Sequence, residues 1–171
     1  MNFKEWFEKK LTVGSYPFLV NKEFNSLHYG YVLNMSDEFY NNTYCAMLAT
    51  KPFWFPMNER KRDIGLNSIY GAMVILWQAE KQNEPVYLHC HSGRNRSQIV
   101  RCCYYYLRTG EQLQDGDEKY YNRLHRASVR GYLPPMSEME EFLRTLGSKL
   151  IAGKMNSKLL DECKLGIINN F

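Results

Sequence analysis

The sequence predicts an α/β fold: a single domain in which a central mixed, mostly parallel sheet of about four or five strands is flanked by helices. Short apolar runs alternate along the chain with segments of helical periodicity, which is typical of strand–helix–strand units. One apolar run, residues 86–89, leads through a glycine-containing loop into a long amphipathic segment. The 171 residues, 44% of them hydrophobic, suffice for one core of ordinary size.

Apolar and β-branched runs define the predicted strands, which are residues 11–13, 31–35, 45–49, 53–55 and 86–89. Pro52 and Pro56 are expected to mark the limits of the fourth strand, because proline interrupts regular structure. The last run is apolar up to His89 and should be buried on both faces, as in the interior of a parallel sheet. In such a sheet, functional residues are expected at the carboxyl ends of the strands.

Apolar residues at helical spacing define the predicted helices. The first helix carries Leu66, Ile69, Tyr70, Met73 and Trp77 on one face. The second carries Ile99, Val100, Cys103, Tyr104 and Leu107 and ends at Gly110. A third is expected around Tyr120, Tyr121 and Leu124, after a turn at Gly116. The last carries Met139, Phe142, Leu143, Leu146 and Leu150, with Ser137 and Glu140 as a capping box.

The predicted domain spans residues 1–150, and residues 151–171 form a C-terminal extension. Gly153, Asn156 and Gly166 interrupt this extension, which nevertheless holds several apolar residues. It fits either a loosely docked tail or a segment that binds a partner or a second copy.

Composition argues against several classes of protein. No run approaches the roughly 18 uninterrupted apolar residues of a transmembrane helix, and the charged N-terminus is unlike a signal peptide. The five cysteines, two of them adjacent, do not suggest a disulfide framework, so a reducing cytoplasm is the expected location. The net charge of +4 suits anionic substrates but does not argue for nucleic acid.

Residues 89–97 read His-Cys-His-Ser-Gly-Arg-Asn-Arg-Ser, and five residues separate Cys90 from Arg96. A loop of this length can turn its backbone N–H groups inward and lead into a helix N-terminus, which together make an anion site. Gly93 gives the loop conformational freedom, and Arg96 offers a planar pair of donors to phosphate oxygens. The predicted phosphate-binding residues are His91, Ser92, Gly93, Arg94, Asn95 and Arg96.

Cys90 lies at the mouth of this predicted cradle. The amides, the helix dipole and the guanidinium all favour its thiolate, so Cys90 is predicted to be a nucleophile at neutral pH. His89, Cys90 and His91 could instead be metal ligands, but no second ligand pair follows at zinc-like spacing. The sequence therefore predicts neither a metal nor a cofactor.

These residues resemble the signature of the cysteine-based protein tyrosine phosphatases, which is His-Cys, five residues, then Arg-Ser or Arg-Thr. The resemblance covers about residues 11–147, and residues 31–36 and 130–135 are similar to flanking segments of the compact dual-specificity branch. It implies a two-step displacement in which Cys90 attacks phosphorus and forms a phosphocysteine. Arg96 and the loop amides would hold the phosphoryl oxygens, Ser97 would stabilise the departing thiolate, and His89 would support the loop.

The resemblance also implies an upstream carboxylic acid that protonates the leaving oxygen, and here the sequence leaves two alternatives. Glu59 follows a strand–proline segment and lies 31 residues before Cys90. Asp63 lies 27 residues before Cys90 and has the usual side chain. Asp63 could equally be a helix N-cap, and Glu59 could be a solvated partner of nearby basic residues.

The predicted function is hydrolysis of phosphate monoesters, with phosphotyrosine, phosphoserine or phosphothreonine in proteins as the expected substrates. The basic residues 60–62 and Arg94 also suit a phosphoinositide. The Gly93 to Arg96 segment is similar to the loop of RNA 5′-triphosphatases, although Ser97 and Gln98 replace their usual Thr-Gly. A phosphate-binding module without turnover is a further alternative. A sulfur-transfer protein of the rhodanese type fits less well, because the motif begins His-Cys and ends Arg-Ser.

Overall fold

Four parallel strands form the centre of the molecule in a computed structural model, which describes residues 1–16, 29–38, 51–61, 65–114 and 123–153. The strands are β1 (Leu11–Gly14), β2 (Tyr31–Ser36), β3 (Lys51–Met57) and β4 (Val86–His89). Their order across the sheet is β1-β4-β2-β3, and every pairing between neighbours is parallel. The predicted α/β class is confirmed. The sheet was predicted to be mixed and mostly parallel, and all pairings between the described strands are parallel.

The two inner strands, β2 and β4, are buried at every residue. Leu33 of β2 lies beside Leu88 of β4, and both are inaccessible to solvent. This burial on both faces explains why these strands read as nearly continuous apolar runs. Because parallel strands all run the same way, their carboxyl ends meet at one edge of the sheet.

Helices pack against this sheet and against one another. They are α1 (Phe3–Lys9), α2 (Leu66–Lys81), α3 (Arg96–Thr109), α4 (Arg123–Val129) and α5 (Met136–Ile151). Helix α3 contacts three strands and also packs against α2, α4 and α5, so it is the most centrally placed helix. It ends at Gly110, as predicted, where a φ of 73° reverses the chain in the left-handed region.

Two predictions about local structure are wrong. Pro52 and Pro56 lie inside β3 rather than at its limits. Strand β3 is at the edge of the four-stranded sheet, where a residue without an N–H is tolerated. Ser137 does not cap α5, because the N-cap is Pro135, which has φ −49° and ψ 145° and whose carbonyl accepts the first hydrogen bonds of the helix.

Several other predictions fall wholly or partly outside the described residues. These include the strand at 45–49, the tyrosines at 120 and 121, and most of the extension at 151–171. Helix α5 ends at Ile151. The limit of the domain at residue 150 stays a prediction, because most of the extension is outside the described residues. Within the ranges described, no helix combines the length and apolar character needed to cross a bilayer.

Candidate active site

The candidate site lies where the carboxyl ends of the four strands meet. Residues from every strand end contribute to it, namely Ser15 and Tyr16 after β1, Asp37 and Glu38 after β2, Glu59 after β3, and Cys90 after β4. Because β4 is an inner strand, the loop that follows it starts between the ends of β1 and β2. The strand order therefore brings together residues that are far apart in the sequence.

The path of the loop depends on Gly93, whose φ is 71°. A Cβ atom at this position would lie 2.6 Å from both the carbonyl carbon and the carbonyl oxygen of Gly14. Backbone atoms cannot move aside as a flexible side chain can. The loop thus packs directly on the end of β1, and only glycine allows that approach.

Donors from outside the loop bind two of its carbonyl oxygens. The backbone N–H of Tyr16 donates to the carbonyl of His91 at 3.0 Å, and the side-chain amide of Gln98 donates to the carbonyl of Gly93 at 3.3 Å. A peptide group is planar and trans, so the N–H that shares it with a tethered carbonyl points the opposite way. These bonds therefore orient the N–H groups of the residues that follow His91 and Gly93.

Two further loop carbonyls are tethered in the same manner. Arg123, the first residue of α4, donates from Nη1 to the carbonyl of Arg94 at 2.6 Å. His89 Nδ1 lies 3.1 Å from the carbonyl of Cys90. Since a carbonyl can only accept, this contact places the proton of the neutral ring on Nδ1.

His89 is inaccessible to solvent, and its ring packs against Tyr16 in an edge-on arrangement and against Tyr87 in a tilted one. Burial lowers the pKa of His89 from 6.5 to about 4, although its bond to the Cys90 carbonyl acts in the other direction. The ring is consequently neutral at pH 7. This agrees with a supporting role beneath the loop rather than proton transfer.

Cys90 is 2% exposed, and its Sγ lies 3.3 Å from the hydroxyl oxygen of Ser97, which is itself fully buried. Ser97 belongs to the first turn of α3, so the sulfur lies beside the positive end of that helix. The structure thus brings together the predicted nucleophile and the predicted thiolate-stabilising hydroxyl. The three described cysteines, Cys90, Cys102 and Cys103, take part in no disulfide bond.

The side chain of Arg96 is only 6% exposed, and most of its donors are already bound. Glu38 accepts from Nη1 at 2.7 Å and from Nη2 at 2.9 Å, across the end of the guanidinium. Nη1 also donates to Asp37 at 2.8 Å and to the carbonyl of Met57 at 3.0 Å. These contacts fix the plane of the guanidinium in a way that a lysine could not reproduce.

The Nε edge of the Arg96 guanidinium, which we call its open edge, makes no hydrogen bond to the described residues. The Nε atom is buried. Glu59 Oε1 is 3.5 Å from Nε, which is an ion-pair distance. Burial alone would lower the pKa of Arg96, but hydrogen bonds and charge from Glu38, with the charges of Cys90 and Glu59, raise it. The guanidinium is therefore a permanent cation with one edge available to an anion.

The remaining predicted residues are placed as follows. His91, Ser92 and Arg94 are exposed, and Asn95 is half-buried as the N-cap residue of α3. Asp63 lies outside the described residues, whereas Glu59 lies beside Arg96. Across the described ranges, no group of three or more His, Cys, Asp or Glu side chains is arranged to hold a metal ion.

Several residues of this site were not predicted from the sequence, among them Tyr16, Asp37, Glu38, Gln98 and Arg123. The acidic pair directly follows a predicted parallel strand, so the expectation that functional residues lie at strand ends could have identified it. Neither Gln98 nor Arg123 gives such a signal, because each acts on the backbone of the loop.

No family model matches the sequence, and no curated protein matches it either. Solved structures do match. PTPMT1 in complex with PI(5)P has a TM-score of 0.57 and 13% identity, covering 87% of this chain and 97% of that one. Tk-PTP in its active form has a TM-score of 0.54 and 12% identity, covering 84% and 95%. TpbA of P. aeruginosa has a TM-score of 0.50 and 16% identity, covering 94% and 87%.

All three belong to the cysteine-based protein tyrosine phosphatase superfamily. The matches extend over most of each chain, so the likeness concerns the whole domain rather than the loop alone. The resemblance that was inferred from residues 89–97 is thereby confirmed at the level of the fold.

Gly93→Ala is expected to weaken the binding of inorganic phosphate by at least about tenfold, because the added methyl group would displace the loop from Gly14. Isothermal calorimetry measures this. Gly110→Ala is the matched control: Gly110 has a nearly identical φ of 73°, but nothing lies within 4 Å of its Cβ position. It should lose stability and keep phosphate affinity. Equal affinities in both variants would contradict the role given to the Gly93 contact.

The buried neutral state of His89 predicts a pH-dependent stability. Between pH 6.5 and about 4, His89 is protonated in the unfolded chain and neutral in the folded one. The free energy of unfolding therefore keeps the full contribution of His89 above pH 6.5 and loses part of it at lower pH. The loss should reach about 2 kcal/mol at pH 5. Urea unfolding at pH 7 and pH 5 measures it. His89→Asn should show a smaller drop than the wild type, and His125→Asn, at an exposed histidine, should show the full drop.

Proposed function

We propose that this protein is a cysteine-dependent phosphatase that hydrolyses phosphate monoesters through a phosphocysteine intermediate. The observation that carries the proposal is the open edge of Arg96. Its buried Nε–H has no acceptor within the described part of the chain, while Glu38 fixes the other edge of the guanidinium. An unsatisfied buried donor is costly unless a ligand completes it. A phosphoryl oxygen beside Cys90 would supply that acceptor.

In the first step, Cys90 Sγ forms a bond to phosphorus while the bond from phosphorus to the ester oxygen breaks. The bonding electrons leave on that oxygen, which takes a proton from a carboxylic acid. Arg96 and the loop N–H groups hold the other phosphoryl oxygens, where the negative charge is concentrated. Because these donors are already oriented by tethers on the loop carbonyls, little reorganisation is needed during the reaction.

In the second step, water attacks the phosphocysteine and the sulfur leaves as a thiolate. The hydroxyl of Ser97, 3.3 Å from Sγ, is placed to donate to the departing sulfur. The carboxylate that gave its proton in the first step can accept one from the attacking water. The products are inorganic phosphate and the free enzyme.

Glu59 is proposed as this proton donor. Its carboxylate lies beside the open edge of Arg96, where a bound phosphoryl group would be held. It is about one-third exposed, which leaves it in reach of solvent for proton exchange. Asp63 is the alternative that the sequence provides, and substituting each carboxylate in turn distinguishes the two candidates.

Phosphotyrosine, phosphoserine and phosphothreonine in proteins are the proposed substrates, in a reducing compartment such as the cytoplasm. A phosphoinositide is the second candidate. It is supported by exposed basic residues at the ends of β3 and β4, which are Arg60, Lys61 and Arg94, and by the likeness to PTPMT1, whose structure contains PI(5)P. A panel of phosphopeptides and phosphoinositides, assayed for phosphate release, decides between them.

The wild-type protein is expected to release phosphate from an aryl phosphate, and Cys90→Ser should lower turnover by at least about 10⁴-fold while still binding the substrate. Rapid quenching should trap a phosphocysteine in the wild type but not in Cys90→Ser. Cys102→Ser, the same exchange at a buried cysteine in α3, should keep turnover. A wild-type protein that binds phosphopeptide but releases no phosphate would instead be a binding module.

The proton donor is identified by comparing Glu59→Gln with Asp63→Asn on two substrates. Loss of the donor should cost about 10²–10⁴-fold on a poor alkyl leaving group and much less on a good aryl one. We expect this difference for Glu59→Gln. If Asp63→Asn shows it instead, the assignment passes to Asp63, and if neither variant shows it, both assignments are wrong.

A further inference from the structure

Arg123 contacts the candidate site from a helix that lies outside the phosphatase-like motif. Its Nη1 donates to the carbonyl of Arg94 at 2.6 Å. Helix α4, which begins at Arg123, is held by the buried side chains of Leu124 and Ala127 and packs against α3 and α5. The guanidinium therefore reaches the loop from a packed element rather than from a freely moving segment.

The geometry of one peptide group connects this contact to the chemistry. The carbonyl of Arg94 and the N–H of Asn95 belong to the same planar, trans peptide and point in opposite directions. Holding the carbonyl from the outside of the loop sets the N–H toward its inside. The positive charge of Arg123 also polarises the peptide, which strengthens its N–H as a donor to an anion.

The side chain of Asn95 does not take over this task. Asn95 is the N-cap residue of α3, yet its side chain makes no capping hydrogen bond, and its φ of −130° and ψ of −73° lie outside the usual capping conformation. The carbonyl of Asn95 accepts the first bond of the helix, from the N–H of Ile99 at 2.8 Å. The orientation of the preceding peptide is thus held by Arg123.

We propose that Arg123 is a positioning residue for phosphoryl transfer, which fixes the peptide between Arg94 and Asn95 so that the Asn95 N–H faces the transferring phosphoryl group. The inference rests on the proposed function, and it adds a residue to that site from outside the loop. The tethers on His91 and Gly93 come from a backbone N–H and a neutral amide. Arg123 supplies a charged tether, and its strength can be altered without changing the loop.

The test compares Arg123→Met, Arg123→Lys and the control Arg126→Met, which removes the same charge from an exposed position of the same helix. Steady-state kinetics with a small aryl phosphate should show kcat/KM lowered by about 10- to 100-fold in Arg123→Met, mainly through kcat. Arg123→Lys keeps a charged donor and should recover part of the loss. Arg126→Met should match the wild type.

A second measurement keeps the inference separate from the proposed function. On a Cys90→Ser background, adding Arg123→Met should weaken the binding of inorganic phosphate by about tenfold in calorimetry, whether or not the wild-type protein turns over. Unchanged phosphate affinity would overturn the role of Arg123. An equal loss in Arg126→Met, or no recovery in Arg123→Lys, would also overturn it, since either result would point to general charge or to packing.

Discussion

The buried guanidinium of Arg96 joins the ends of three strands, and the candidate site depends on it. Glu38 after β2, the Met57 carbonyl at the end of β3 and the helix that follows β4 all meet at this one side chain. A buried cation is unfavourable unless it is paired and hydrogen-bonded. The carboxylates around Arg96 satisfy that requirement and also determine which of its edges remains available.

The electrostatics of the site follow from that arrangement. Among the described residues, the carboxylates of Asp37, Glu38 and Glu59 lie within 4 Å of the Arg96 guanidinium, so its surroundings are not simply positive. Affinity for a phosphoryl group must then come from directed donors, which are the open Nε–H and the oriented loop amides. This explains why so many contacts in the structure serve to orient loop carbonyls rather than to add charge.

The sequence predicted the parts of the site whose determinants are close together in the chain. The loop at residues 89–97 is recognised by its glycine and by the spacing of Cys90 and Arg96. The strand before it and the helix after it are recognised by their hydrophobic periodicity. The contributions of Asp37, Glu38 and Arg123 were missed because they depend on the strand order β1-β4-β2-β3 and on how α4 packs. Pro52 and Pro56 were misread for the same reason, since a strand interior tolerates proline only at a sheet edge, which a single sequence does not reveal.

The direct approach of Gly93 to Gly14 restricts which residues can occupy these two positions. Gly93 is confined by the backbone of Gly14, which cannot move aside as a side chain can. Gly14 is confined by the ring of Tyr87, whose hydroxyl donates to the Ser15 carbonyl. A larger residue at one position cannot be compensated by a change at the other, because neither has a side chain to shorten. A side chain at either glycine is therefore expected to disturb the junction between the loop and the end of β1.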